Sequence, residues 1–363
     1  MPQNYEVSYV SAGSLIPLTN VQSVNYRWGR QKITDQWTPN TGTVVFRAPN
    51  YFANPIPELV PGCVIRATNL TTSQEIFYAV IADVQAEYGI PYASGVGPSD
   101  YVTLTLEGSF AEMGRNQGLN YSMAAGLAST QLLTASAQSG VGLSNQYTGP
   151  NDVNVGAATV SGSWGEWLSR WLITTGGSLQ DNLVNPQLFP PLVRSSGSNF
   201  SDTTNSGLEK KYFKLEFSSL SDNYYTEVEV DPVGFASSFA RVGAEPYRTI
   251  KIDSYSASAI DGQILADYYL AFLKDNEISP VSVSMLAEAQ AFQNIDSNFV
   301  GRSNLRSLLT FRGTTRSVIT LGGVLSVTPE QMIVTCYLTT VTSTGTTYNT
   351  PIFYNQPGYL YND

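Results

Sequence analysis

"YVTLTLEGSFAEMGRNQ", Tyr101–Gln117, changes its period part-way along. Val102, Leu104 and Leu106 alternate with Thr103 and Thr105, the two-residue repeat of an antiparallel strand with one buried face. At Ser109 the alternation stops. "SFAEMGRNQ" carries Ala, Met and Phe without proline, a helical texture. The junction divides a β-rich N-terminal block from a helical one.

Similar runs lie upstream. "TVVFRA" (Thr43–Ala48), "CVIRATN" (Cys63–Asn69) and "EIFYAVIADV" (Glu75–Val84) are separated by "PNYFANPIPELVPG" and "YGIPYASGVGPSD", both rich in Gly and Pro. Several such strands in ~100 residues predict a small sandwich or barrel. Downstream, "NYSMAAGLASTQLLTASAQSG" (Asn120–Gly140) reads as a helix ending at Gly140. "SGSWGEWLSRWL" (Ser161–Leu172) puts Trp164, Trp167 and Trp171 at i, i+3 and i+7, with Leu168 and Leu172 between them, so they share one helix face. Ser161 or Ser163 is the expected N-cap and Gly176–Gly177 the stop. Asn185–Gly207 reads as an irregular connector.

Strands resume with "YFKLEFSSL" (Tyr212–Leu220), "YTEVEVDP" (Tyr225–Pro232) and "YRTIKID" (Tyr247–Asp253). The clearest helix follows, "DGQILADYYLAFLKDN" (Asp261–Asn276), with Ile264, Leu265, Tyr268, Tyr269, Phe272 and Leu273 as its apolar stripe. "VSVSML", "LRSLLTFRG", "RSVITLGGVLSV" and "QMIVTCYLTTV" return to β. The fold class is therefore β-rich α+β. Its expected divisions are an N-terminal β domain over 1–108, a helical or α+β domain with connector over 109–207, an α+β segment over 208–278 and a C-terminal β domain over 279–363.

Composition excludes several function classes. The formal charge is −10 and 13% of residues are charged, so a binder of phosphate backbones is not expected. Low charge with 22 tyrosines suits a chain covered by neighbours, because interface cores are depleted in charge and rich in Tyr and Trp. The chain has no histidine, which removes the commonest general base and zinc ligand. Cys63 and Cys336 read as two buried hydrophobes rather than a disulfide framework. No apolar run approaches the ~20 residues that span a bilayer, and "MPQNYEVSYV" lacks the pattern of a secretory signal.

Candidate sites are few. Glu227, Glu229 and Asp231 alternate with Val228 and Val230 and share one strand face, as a solvated or lumen-facing acidic row. They project in parallel, unlike the two carboxylates that flank a glycosidic bond. No phosphate loop, nucleophile elbow or calcium loop is present, so neither metal nor cofactor is expected. The tryptophan face admits core packing, a subunit interface, a sugar platform or a membrane surface. Glu166 with the single Arg170 on its polar side argues against a membrane, and the interleaved leucines argue against a sugar. Core packing is expected for Trp164, Trp167 and Trp171, with Trp164 the most open.

Several segments in this order resemble the minor tail proteins of long-tailed bacteriophages, of the baseplate-hub type at the tail tip. They are "YRWGRQKITDQWTPNTGTVVFRAPN" with "LVPGCVIRAT", "VTLTLEGSFAEMGRNQ", "SGSWGEWLSRWLITTGGSLQDN", "YFKLEFSSLSDNYYTEVEVDPVG", "YRTIKIDSYSASAIDGQILADYYLAFL", "VITLGGVLSVTPEQMIVTCYLTTV" and "PIFYNQPGYLYND". The specific part is their collinear order. The resemblance implies two tail-tube-like β-barrel domains bracketing smaller α+β domains. It also implies a threefold ring below the tail tube, a place in the virion after synthesis in the host cytoplasm, and no enzyme activity. The implied partners are further copies of the chain, the tube protein, the distal tail protein, the tape-measure protein and tip or fibre proteins, with DNA passing through unbound. Because the sequence stops at Asp363, no fibre or hydrolase activity is expected of it. A distal-tail ring protein and a carbohydrate-binding receptor-recognition protein are the alternatives.

Overall fold

A computed structural model of the chain describes residues 5–89, 99–118, 120–181, 184–190, 194–195, 198–203, 208–218, 224–274, 278–287 and 295–340. The stretch "PIFYNQPGYLYND" lies outside the described residues. Strands of four residues or more are β1 (Tyr5–Ser11), β2 (Ser14–Pro17), β3 (Val21–Gly29), β4 (Thr41–Pro49), β5 (Val64–Asn69), β6 (Gln74–Glu87), β7 (Ser99–Glu107), β8 (Lys214–Ser218), β9 (Glu227–Pro232), β10 (Ser238–Arg241), β11 (Thr249–Ser254), β12 (Ser279–Leu286), β13 (Leu305–Phe311), β14 (Thr314–Val327) and β15 (Met332–Thr340). The longer helices are α1 (Phe110–Arg115), α2 (Ala128–Ser139), α3 (Trp164–Thr175) and α4 (Ala259–Leu273). None of the described helices is long and apolar enough to cross a membrane.

One large sheet carries both β blocks. Its antiparallel path runs β2, β1, β5, β6, β7, β4, β3, β14, and β14 continues through β15 to β12 and β8. The hinge of this ladder is β14. Its first half pairs with β13, from Phe311↔Thr314 to Leu305↔Thr320. Its second half pairs on that edge with β3 instead, from Gly322↔Gly29 to Val327↔Val24. The change-over needs glycine on both strands. A Cβ on Gly322 would sit 2.4 Å from the Trp28 carbonyl oxygen, and one on Gly29 2.4 Å from that of Leu321. The "GG" of "VITLGGVLSV" and the Gly29 of "RWGR" are thus required where the two blocks meet.

The blocks also share one core. Val24, Tyr26, Trp28, Phe46 and Leu104 from the first third bury against Val283, Leu325, Val334 and Cys336 from the last. Each large apolar side chain removed from water stabilises by roughly 1.5–3 kcal/mol. Among the described residues the ladder does not close on itself.

The tryptophan unit follows β7 in the chain. Its second helix differs from the expectation. Tyr121–Met123 and Gly126–Leu127 are short strands, paired with Ala158–Val160 and Asn154–Val155, and α2 begins only at Ala128. The cause is a remote cap. The Asp152 carboxylate accepts hydrogen bonds from the Ser129 backbone N–H (2.8 Å) and the Ser129 hydroxyl (2.5 Å), which fixes the first turn there. Gly140 ends the helix as expected, in the left-handed region at φ 74°. Within the expected connector, Gln187–Phe189 pairs with Ser178–Gln180, and Asn199–Ser201 joins the large sheet, so that stretch is not wholly irregular. Its residues 191–193, 196–197 and 204–207 lie outside the described residues.

Asp181 joins this unit to the sheet. Its carboxylate accepts from Phe110 N–H at the start of α1 (2.7 Å), from the Ser109 hydroxyl (2.9 Å) and from Asn40 N–H before β4 (3.1 Å). Burial pushes its carboxyl up to about 7, against the pull of those three donors.

The third unit is the sheet β10–β9–β11 with α4 on one face. Val228, Val230 and Ile252 pack on Leu265, Ala266, Tyr269 and Leu273, with Ile319 and Leu321 of β14 completing the core. The helix starts at Ala259, two residues before the expected Asp261, because the Ser258 hydroxyl accepts from Asp261 N–H (3.2 Å).

Candidate functional site: the cleft between the tryptophan helix and the small sheet

Helix α3 is fixed by its own sequence. Ser163, not Ser161, is the N-cap: its hydroxyl accepts from Glu166 N–H (3.1 Å) while Glu166 Oε2 accepts from Ser163 N–H (3.2 Å). Gly176 closes the helix at φ 63°. Trp164, Trp167 and Trp171 are 2%, 2% and 0% exposed. Trp164 is therefore no more open than Trp167, contrary to its position at the helix start. Tyr121 covers it, ring centroids 5.6 Å apart, and Gly165 lets α1 approach so closely that a Cβ there would lie 2.9 Å from the Gly114 Cα. Trp171 Nε1 donates to Gln131 Oε1 (3.1 Å), and its ring meets that of Tyr147 edge-on at 5.1 Å.

The acidic row lies on β9, the central strand of the small sheet, on the face away from α4. Each carboxylate has a cationic partner on a flanking strand. Glu227 is bonded to the Arg241 guanidinium and accepts from the Thr249 hydroxyl (2.6 Å). Glu229 and Asp231 lie 3.7 and 3.0 Å from Lys251 Nζ. Hydrogen bonds from Thr249 and Arg241 hold Glu227 below the ordinary carboxylate range, and the bond from Lys251 does the same for Asp231. These two carboxyls are anions at neutral pH, not proton donors.

Beside the row, a cleft of about 650 Å³ opens between α3 and β11. Glu166, Trp167, Arg170 and Ile173 form one wall, residues 250–253 the other, and Thr34 and Gln36 of the β3–β4 loop reach its rim. The Arg170 guanidinium lies 4.8 Å over the Tyr255 ring and 3.7 Å from Asp253. Burial raises the Tyr255 hydroxyl above its ordinary value, with Arg170 opposing. Two buried polar atoms of the α3 wall have no partner among the described residues: Trp167 Nε1 and Arg170 Nε. All three tryptophans join the unit's core, and Trp167 also lines the cleft together with Lys251, the partner of the acidic row.

The sequence signals these cleft residues weakly. Arg170 stands out only as the one basic residue on the tryptophan helix, and Lys251 only as part of an alternation. The cleft's aromatic rings offer no open stacking face, since Trp167, Tyr255 and Tyr269 are 2%, 7% and 1% exposed. No group of three or more metal-ligating side chains that could hold an ion occurs among the described residues.

No protein-family model matches the chain, and no curated protein matches it. Its architecture is nonetheless shared over nearly its whole length. The 43 kDa tail protein of prophage MuSo2 from Shewanella oneidensis superposes with a TM-score of 0.65 at 9% identity, covering 92% of this chain and 98% of that one. The chain has the fold of bacteriophage tail proteins. A tail protein from Neisseria meningitidis MC58 gives 0.63 at 11% identity, with 93% and 96% covered. The tail-protein fold also extends to the E. coli c3393 protein, a component of the type VI secretion system with structural similarity to the T4 bacteriophage tail proteins gp27 and gp5. That match has a TM-score of 0.57 at 9% identity over 93% of this chain and 77% of that one.

Proposed function

We propose that the protein is a structural component of a phage tail tip: a baseplate-hub ring that joins the tail tube to the tip and lets DNA and the tape-measure protein pass. The observation that carries this reading is the end-to-end match to the MuSo2 tail protein, which spans both β blocks and the two smaller units in order. In this reading the β1–β7 and β12–β15 blocks are the tube-like barrels of the ring, joined through β14. The stretches 109–207 and 208–278 supply its smaller domains, apart from Asn199–Ser201 and β8, which join the large sheet. The ring is threefold, sits at the tail tip of the virion, and contacts tube, distal tail and tip or fibre proteins. Its work is geometric: a closed ring of packed units transmits receptor engagement as a change between packed states. No enzyme chemistry is part of it.

The row of Glu227, Glu229 and Asp231 is proposed as lumen lining in its ion-paired form. Alternating carboxylates and cations on β9, β10 and β11 make a face with little net field, over which a polyanion slides without being held. A distal-tail ring is the alternative within the same machine. The carbohydrate reading is disfavoured by the buried rings of the cleft.

The test is the mass of the purified chain, alone and with tail-tube protein, together with the symmetry of the ring in electron micrographs of tails. A threefold ring on the tube's end is expected. A sixfold ring would move the protein to the distal-tail role, and a stable monomer that never engages tube protein would overturn both.

A further inference from the structure

We propose that the open edge of β11 is a docking site for β2 of a second copy of this chain, which adds to the small sheet as an extra strand. The idea deepens the ring reading and rests on it.

β11 is an edge strand. The Arg248 and Ser254 carbonyls accept from Glu227 N–H and Val233 N–H, both at 3.1 Å, so they face β9. In a parallel ladder the alternate residues face the other way, which turns the N–H and C=O of Thr249, Lys251 and Asp253 outward. None of these backbone groups has a hydrogen-bond partner among the described residues. Lys251 and Asp253 line the cleft. Further along the same edge the position is taken: Tyr255 N–H donates to Thr174 Oγ1 (2.8 Å), and its carbonyl accepts from Gly156 N–H (2.7 Å). The edge is therefore sealed from within at Tyr255 and open at Lys251–Asp253. Across the gap, the buried Trp167 indole N–H also lacks an acceptor. An extended strand supplies what the β11 edge lacks, since main-chain pairing gives affinity and alternate side chains give selectivity.

Charge selects the strand. Arg170 is matched by Asp253, Lys251 by Asp231, and Glu166 is held in the capping box, so the cleft asks for an uncharged segment. Among the described strands of four residues or more, the edges other than β11 and β2 carry charge, Lys214 and Glu216 on β8 and Arg241 on β10. β2 is "SLIP", uncharged, with every residue exposed. It is held only by β1, through a tight turn with Ala12 and Gly13 at φ 48° and 81°. With Ser11 opposite Ser14 next to that turn, the Val10↔Leu15 pair is non-hydrogen-bonded, and the Leu15 N–H and C=O point away from the sheet. Four residues of strand span about 13 Å. Donor edge and acceptor edge are different surfaces, so the contact is head-to-tail, the kind that closes into a ring.

The test uses the full chain. Sedimentation over a range of concentrations is compared for the wild type, Lys251→Pro and Lys251→Ala. Proline removes the outward N–H and leaves the pairing with β9, while alanine drops the same ion pairs and keeps the N–H. The expected result is a rise of about tenfold or more in the dissociation constant for Lys251→Pro and less than about twofold for Lys251→Ala. Copies carrying Leu15→Cys mixed with copies carrying Lys251→Cys are expected to form a disulfide-linked pair that neither forms alone. That measurement decides the matter if Lys251→Pro does not fold. Assembly indifferent to Lys251→Pro, with no mixed cross-link, overturns the strand docking and leaves the ring standing. A chain that stays monomeric with and without tube protein overturns both.

Discussion

Helices α2 and α3 have the same length, twelve residues, and pack in one core, yet they are specified differently. α3 carries its start within four residues, Ser163 to Glu166. α2 has Leu127 at its N-cap, no side-chain cap of its own, and borrows the carboxylate of Asp152, 23 residues on. The same split divides the other pair. Ser258 caps α4 locally, whereas α1 receives Asp181, 71 residues away. A local cap fixes a helix start in the chain, but a borrowed one fixes it only after the chain has folded.

The comparison can be tested, largest effect first. Trp171→Ala removes a fully buried ring from the shared core and is expected to cost about 3–5 kcal/mol in denaturant unfolding, melting α2 and α3 together. Gln131→Leu, on α2, leaves the Trp171 indole N–H and the Ala124 and Gly156 carbonyls without their partner, and should cost roughly 1–3 kcal/mol. Asp152→Ala and Ser163→Ala each remove one helix cap, at about 1 kcal/mol or somewhat more. They should differ in kind. A peptide covering α3 alone should lose helicity with Ser163→Ala, while a peptide covering α2 should start at low helicity and have no cap to lose. Equal helicity in the two wild-type peptides would break the distinction.

A further test is a pH dependence. Asp181 titrates near 7 in the folded chain, above the value of about 4 for an unfolded Asp, so folding takes up a proton between those values. This contribution is full below pH ~4 and is lost as pH rises through ~7. Stability should fall across that window, and Asp181→Asn should flatten the fall. A rise in stability attributable to Asp181 over the same range would contradict the assignment.

The same reasoning explains what the sequence made legible. The alternation in β7, the apolar stripe of α4 and the tryptophan face of α3 are local periodicities, and each is found as an element at nearly the expected residues. Strands β1 to β3 carried no comparable signal, because polar residues such as Gln22, Ser23 and Asn25 stand in a segment that its partners, β5, β4 and β14, hold in place. The joining of the two β blocks was equally hidden. Its marks are single glycines, Gly29 and Gly322, nearly three hundred residues apart, which mean nothing until the strands cross. The cleft belongs to the same class. Arg170 and Asp253 acquire their meaning only when α3 lies beside β11.

One consequence of β14 is mechanical. The strand runs unbroken from its pairing with β13 to its pairing with β3, bordered by β15 along most of the other edge, and carries Ile319 and Leu321 into the core of the small unit. A pull along its axis between the two blocks would load its hydrogen bonds in shear, many at once, rather than peel them apart in sequence. In a body that is stretched or twisted, that strand is the rail, and the two β blocks and the small unit ride on it.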